Sequence, residues 1–278
     1  MTGRRARRAL LIVLFTALLG GVAYAQRGFY FREGSLPARY APDEMPDGGF
    51  VVCRLSYDSV RSERSGIGWE TDYPYAEINL TTRLSELTKT RVSRDEDGTP
   101  NHYVVRLTDD TLFNCPMIVA SDVGTIGLRD REVERLRTYL LKGGFLWVDD
   151  FWGSAAWAQW ASQITRVLPS PDFHIEDVPL TDPMLHSMFE MKQIPQITNI
   201  LFWRQTGGTE TSERYEDSAD VHLRAIRDGK GRVMVLMSHN TDVADSWERE
   251  GEDPGFFYQF SPDGYALGID VLLHAMTH

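Results

Sequence analysis

The sequence predicts an α/β fold: a doubly wound, mostly parallel sheet with an antiparallel edge hairpin. Three observations predict it. Short apolar runs of strand length alternate with segments whose apolar residues recur at helical spacing. A helix pattern stops at Gly143-Gly144, and the apolar run Phe145-Leu146-Trp147-Val148 follows at once. Near the C-terminus two further runs flank Asp228-Gly229-Lys230-Gly231, a hairpin signal.

Each element follows from local pattern. Phe50 to Leu55 is a buried strand after Gly48-Gly49. Ile78, Leu80, Leu84 and Leu87 share one helix face. Tyr103 to Leu107 and Met117 to Ala120 are the next strands. Val133, Leu136 and Leu140 mark the helix that ends at the glycine pair. After the fourth strand, Phe145 to Val148, Ser154 can cap a helix carrying Trp157, Trp160 and Ile164. Prolines 169, 171, 179, 183 and 195 punctuate a less regular stretch, and Thr206 to Asp220 reads as a polar loop. Val221 to Arg227 and Arg232 to Ser238 form the hairpin arms. Tyr265 to Met276 closes the chain as a helix.

A targeting segment precedes this domain. Arg4, Arg5, Arg7 and Arg8 precede an apolar run from Ala9 to Val22, and Ala23-Tyr24-Ala25 offers a cleavage signal. The run is short for a bilayer span, which needs about 20 residues. The expected organisation is therefore a signal peptide over 1–25, a linker over 26–47 and one domain over 48–278. The expected location is exported and periplasmic, the alternative being a tether through residues 9–22. Losing the four arginines deepens a formal charge that is already −11. Such a surface argues against nucleic acid, which needs clustered Lys and Arg, and against anionic lipid. The two cysteines, Cys53 and Cys115, show no metal-ligand spacing. Export would allow them to join, but Cys53 lies inside an apolar strand, and the expectation is two small buried thiols.

The carboxyl ends of the strands are where an open α/β sheet gathers ligands. Asp149 and Asp150 stand there after the fourth strand. Adjacent in an extended strand they would face opposite sides, and the bland reading is that they cap the next helix. His239, Asn240, Asp242 and Asp245, with Glu248 beyond, follow the last strand. A His with several oxygen donors could hold a divalent metal, with Asp149, His239 and Asp242 as candidate ligands, although no spacing here is diagnostic. Trp69, Asp72 and Tyr73 lie in a long loop, where exposed aromatics would make a binding surface. Arg54 and Arg232 are either anion ligands or ion-pair partners of the many acids. Ser238 beside His239 lacks a nucleophile-elbow motif, and Trp152, Trp157 and Trp160 read as packing residues.

Five segments in order resemble the bacterial family catalogued as domain of unknown function 4159. They are Arg54-Leu55-Ser56-Tyr57 with Gly68-Trp69-Glu70-Thr71-Asp72-Tyr73-Pro74 and Asn79-Leu80; Gly143 to Leu146 through Asp149-Asp150; Asp182 to Phe189; Ser238 to Glu248; and Leu267-Gly268-Ile269-Asp270. Asp182 and Asp270 depart from the family's usual His and Asn. The resemblance implies a fold similar to class I glutamine amidotransferases. It also implies an envelope protein partner linked to MoxR-type ATPases or von Willebrand A-type proteins. Amidotransferases place a Cys at the turn that carries Asp149-Asp150 here, so glutaminase chemistry is not expected. The expected function is a non-catalytic module binding a protein partner or small ligand at the strand-end edge. The alternative is a metal-assisted hydrolase using Asp149, Asp150, His239 and Asp242.

Overall fold

The computed structural model describes residues 37–277. The signal segment and the start of the linker lie outside them. Nine strands are present in the described part: β1 (Val52–Ser56), β2 (Asp58–Ser59), β3 (His102–Arg106), β4 (Met117–Ser121), β5 (Ile126–Gly127), β6 (Phe145–Phe151), β7 (Ile175–Asp177), β8 (His222–Arg227) and β9 (Val233–His239). The α-helices are α1 (Tyr75–Leu87), α2 (Asp130–Leu141), α3 (Gly153–Val167), α4 (Ile200–Gln205), α5 (Asp245–Glu248) and α6 (Pro254–Thr277).

Seven strands form one sheet in the order β3-β1-β4-β6-β9-β8-β7, while β2 and β5 pair separately and antiparallel. β3, β1, β4, β6 and β9 run parallel. Numbered among themselves in chain order, these five lie 2-1-3-4-5, the order of a doubly wound sheet whose switch point falls between β1 and β4. β8 runs antiparallel to both β9 and β7. The predicted hairpin is therefore present, but it is not the outermost element, because β7 adds a strand beyond it. Helices cover both faces. α2 and α3 pack Val133, Leu136, Trp160 and Ile164 onto one side of the sheet. α1, α5 and α6 pack Leu80, Leu84, Trp247, Phe256 and Leu272 onto the other. Among the described residues no helix is long and apolar enough to cross a membrane.

Three details differ from the sequence expectations. Cys53 and Cys115 form a disulfide, with Cα atoms 6.0 Å apart. Cys53 sits in β1 and Cys115 lies just before β4. The two strands are parallel neighbours, an adjacency that apolar runs alone do not show. The predicted linker is partly docked: Val104 donates its amide to Arg39, and Ala41 donates to Val104, covering the outer edge of β3. Ser154 does not cap α3. That helix starts at Gly153, whose amide is taken by Asn240 Oδ1 at 2.8 Å, while Asp217 accepts the amide of Ser154 at 3.0 Å.

Candidate functional site

β1, β4, β6 and β9 all end on one edge of the sheet, and the chain turns sharply after them. Asp122 after β4 (φ 53°), Asp150 within the end of β6 (φ 52°), Asn240 after β9 (φ 63°) and Asp72 in the long loop after β1 (φ 66°) are all left-handed. Asp and Asn tolerate this region better than other side chains do, yet such strain gathers at sites where a side chain must be aimed. At Asp150 the register of β6 against β9 breaks between Val148 and Phe151. The strand thus turns under Asp150, and this separates it from Asp149.

That turn brings Asp150 together with two residues remote in sequence. Asp72, Asp150 and Asp242 each offer a carboxylate oxygen within 4.8 Å of the others. Asp72 and Asp242 are each only 1% exposed. Asp72 Oδ2 accepts from Ser121 Oγ at 2.8 Å, while its Oδ1 has no hydrogen-bond partner. Ser121 in turn accepts from Arg54 Nη1 at 2.7 Å, and Arg54 Nε donates to Glu77 Oε1 at 2.6 Å. Arg54 therefore serves as the ion-pair partner of a buried acid. Asp242 Oδ1 accepts the amide of Asp245 at 2.9 Å, and Asp150 Oδ1 accepts from the indole of Trp152 at 2.9 Å. Asp150 keeps part of its surface in solvent and lines a small, solvent-open recess with Glu63, Ser65, Gly66, Asp122, Glu213 and Arg214.

The electrostatics are lopsided toward negative charge. Burial pushes the Asp72 carboxyl up, opposed by Arg54 and the Ser121 hydroxyl. Asp150 is pushed well above the carboxylate range by burial and then by Asp72, Glu213 and Asp122. Asp242 is raised in the same way, by burial and then by Asp150 and Asp72. Asp122 is raised to about 7, chiefly by burial, although the Gly68 amide donates to it at 2.8 Å.

The remaining residues singled out from the sequence take other places. Asp149 accepts the amide of Ala244 at 2.8 Å and faces α1 and α5 rather than the recess. Burial raises it to about 8. Neither Asp149 nor Asp150 caps α3; Asn240 and Asp217 do that instead. Asp245 accepts the amide of Ile200 at 2.7 Å, tying α5 to α4, and its other oxygen pairs with Arg249. His239 is turned to the opposite face of the sheet. Its Nε2 faces the Gly153 carbonyl at 3.1 Å and its Nδ1 faces Arg224 at 3.3 Å. Its ring packs on Phe151 and Trp157. Burial drives its pKa down to about 4. Asp149, His239 and Asp242, the candidate ligands named from the sequence, are thus not brought together; the carboxylates that meet are those of Asp72, Asp150 and Asp242. Tyr73 is buried, with its hydroxyl donating to the His102 carbonyl at 3.2 Å, and Trp69 is half-buried against the core, so this loop does not form an aromatic platform. Ser238 Oγ is fully buried and accepts from the Trp147 indole at 2.6 Å, while His239 beside it points to the other face. Asp122, Glu63, Glu213 and Arg214 were not expected at the site. Asp122 alone carried a signal, since it directly follows a strand.

The profile of one protein family, described as Domain of unknown function (DUF4159), matches residues 52–276. No curated protein matches the chain. The match spans the whole sheet, from β1 through α6, and with it every residue of the strand-end site, so the chain belongs to the DUF4159 family.

Proposed function

We propose that the protein is an exported, non-catalytic module with an amidotransferase-like core, which binds a protein partner or small ligand at the strand-end edge. One observation carries this reading. Asp150 sits at the strained turn of β6, where an amidotransferase would hold its Cys, and it opens onto the recess beside Glu213 and Arg214. Both cysteines of the chain are joined to each other, so neither supplies a thiolate. A disulfide also suits an oxidising compartment, in keeping with the N-terminal export segment. The hydrolase alternative loses its candidate histidine ligand, because His239 lies on the other face with both ring nitrogens engaged. The family resemblance points to envelope partners linked to MoxR-type ATPases or von Willebrand A-type proteins.

The test is a photo-crosslinking residue placed at exposed Arg64 on the rim, compared with one at exposed Lys230, at the opposite end of β9. The expected result is a discrete adduct from position 64 in cells making the full chain, with none from position 230. No adduct at 64, or the same adduct from both, refutes the binding edge. N-terminal sequencing of the protein from the same cells should begin at Gln26; a cytoplasmic protein that retains Met1 refutes export.

A further inference from the structure

We propose that Asp72, Asp150 and Asp242 together bind one hard divalent cation, of the Mg2+, Mn2+ or Ca2+ class, at the strand-end edge. The proposal deepens the binding-edge reading and rests on it for the role of the recess. Its first support is geometric. Oxygens on opposite sides of an ion bound at about 2.0–2.6 Å lie roughly 4–5 Å apart. The three carboxylates already hold oxygens within 4.8 Å of one another. Carboxylates are the donor type that selects hard cations over softer transition metals.

The second support is independent of the clustering. Asp72 is 1% exposed, and its Oδ1 has no hydrogen-bond partner. An orphaned, buried carboxylate oxygen costs free energy unless something positive meets it. Its Oδ2 is fixed by Ser121, and Ser121 is fixed by Arg54. This is the outer-layer support that orients a metal-ligating carboxylate. Arg54 offsets the charge of Asp72 only in part, because its closest charge contact is Glu77, 2.6 Å away.

The neighbouring acids define where the ion goes. Asp72, Asp245 and Glu248 form a second group with oxygens within 4.8 Å. There Arg249 Nε already lies 3.2 Å from Asp245 and 2.8 Å from Glu248, so a cation is in place. Among the described residues no guanidinium forms an ion pair with Asp150 or Asp242, so this group is the one left to a metal. Asp150 also joins the buried pair to the recess, which gives an ion its way in. Three carboxylates leave a six- to eight-coordinate ion with open positions. Water or an oxygen donor of the bound ligand would fill them from the side of the recess.

The experiment titrates MnCl2 into the purified protein after chelator treatment and dialysis. Loss of the free Mn2+ electron paramagnetic resonance signal is the readout, and MgCl2 and CaCl2 are the competitors. The expected result is saturation at one Mn2+ per chain, reversed by Mg2+ or Ca2+, with affinity at least tenfold weaker in Asp72→Asn. Asp242→Asn repeats the test should Asp72→Asn fail to fold, and exposed Glu86→Gln should leave binding unchanged. No saturable binding, or equal binding in wild type and both variants, overturns the proposal. If Mn2+ binding is absent while crosslinking from position 64 persists, the cation is wrong and the binding edge stands. If both are absent, both readings fall.

Discussion

Replacing Arg54 by Met should be among the most damaging single changes in this protein. Arg54 is 1% exposed and donates to Glu77 at 2.6 Å and to Ser121 at 2.7 Å. Met keeps much of the volume but removes the charge and every donor. Glu77, itself 2% exposed, would then be a buried carboxylate with no partner for either oxygen, since its Oε2 is already unbonded. Breaking a buried pair from one side costs about 3–5 kcal/mol, much of it the orphaned charge rather than the lost contact. That origin gives the loss a pH signature. Glu77 and Asp72 already have raised pKa values, chiefly from burial, with Arg54 holding them back. Without Arg54 they rise further, and the folded state then favours their protonated forms. The loss should therefore be largest at neutral pH and shrink as pH falls towards the unfolded carboxyl values of about 4, below which both carboxyls become protonated in the folded and unfolded chain alike. Urea denaturation of the disulfide-intact protein at pH 7.5 and pH 4.5 measures this. Adding Glu77→Leu should recover part of the loss, because it removes the stranded acid. A loss below about 1 kcal/mol at pH 7.5, or one that grows in acid, would show that this pair is not what the structure makes it.

The other expectations concern the same edge and the core beneath it. Asp122 has its folded pKa raised from 3.8 to about 7, so metal-free wild-type protein should lose stability as pH rises across that window. Asp122→Asn should remove a fall on the order of 3 kcal/mol between pH 4.5 and 7.5. Urea midpoints between pH 4.5 and 7.5 read it, and a slope rising with pH would contradict it. Cys53→Ala with Cys115→Ala opens a loop closed over 62 residues and should cost about 4 kcal/mol in denaturant, whereas unchanged stability would leave the disulfide without a role. Trp160→Ala empties a fully buried site between α3 and the sheet and should cost about 3–5 kcal/mol, read as a lowered melting temperature.

The parallel strands were legible because strands buried on both faces read as unbroken apolar runs, as Phe145 to Val148 does. α2 was legible from Val133, Leu136 and Leu140, which are among its buried positions. β7 has only three residues, two of them exposed acids, and α4 has six; neither is long enough to show a period. The site was half legible. Asp72, Asp150 and Asp242 could be named because they follow strands or sit in a marked motif, but their meeting depends on how three loops fold over one edge. His239 was misplaced for a reason the sequence does contain. Alternation along β9 puts Leu236 and Ser238 on the α1 and α6 side, and Met237 and His239 on the side of α2 and α3. The carboxylates lie where the chain has already turned, so a shared loop did not mean a shared face.

What neutralises this edge decides how it works. Asp72, Asp150 and Asp242 are drawn together in a setting that favours their uncharged forms, and Arg54 is paired with Glu77. Two agents can do it, protons or a cation, and they predict opposite behaviour at neutral pH. Protons alone leave the folded state least stable above the raised pKa values, since each deprotonation adds a like charge to the group. A divalent ion bound by the folded state adds stability in proportion to the logarithm of its concentration and does so most strongly where the carboxylates are charged. Millimolar Mg2+ should therefore raise the urea midpoint at pH 7.5 and do little at pH 4.5. The same gain at both values would mean that Mg2+ acts elsewhere on an acidic surface.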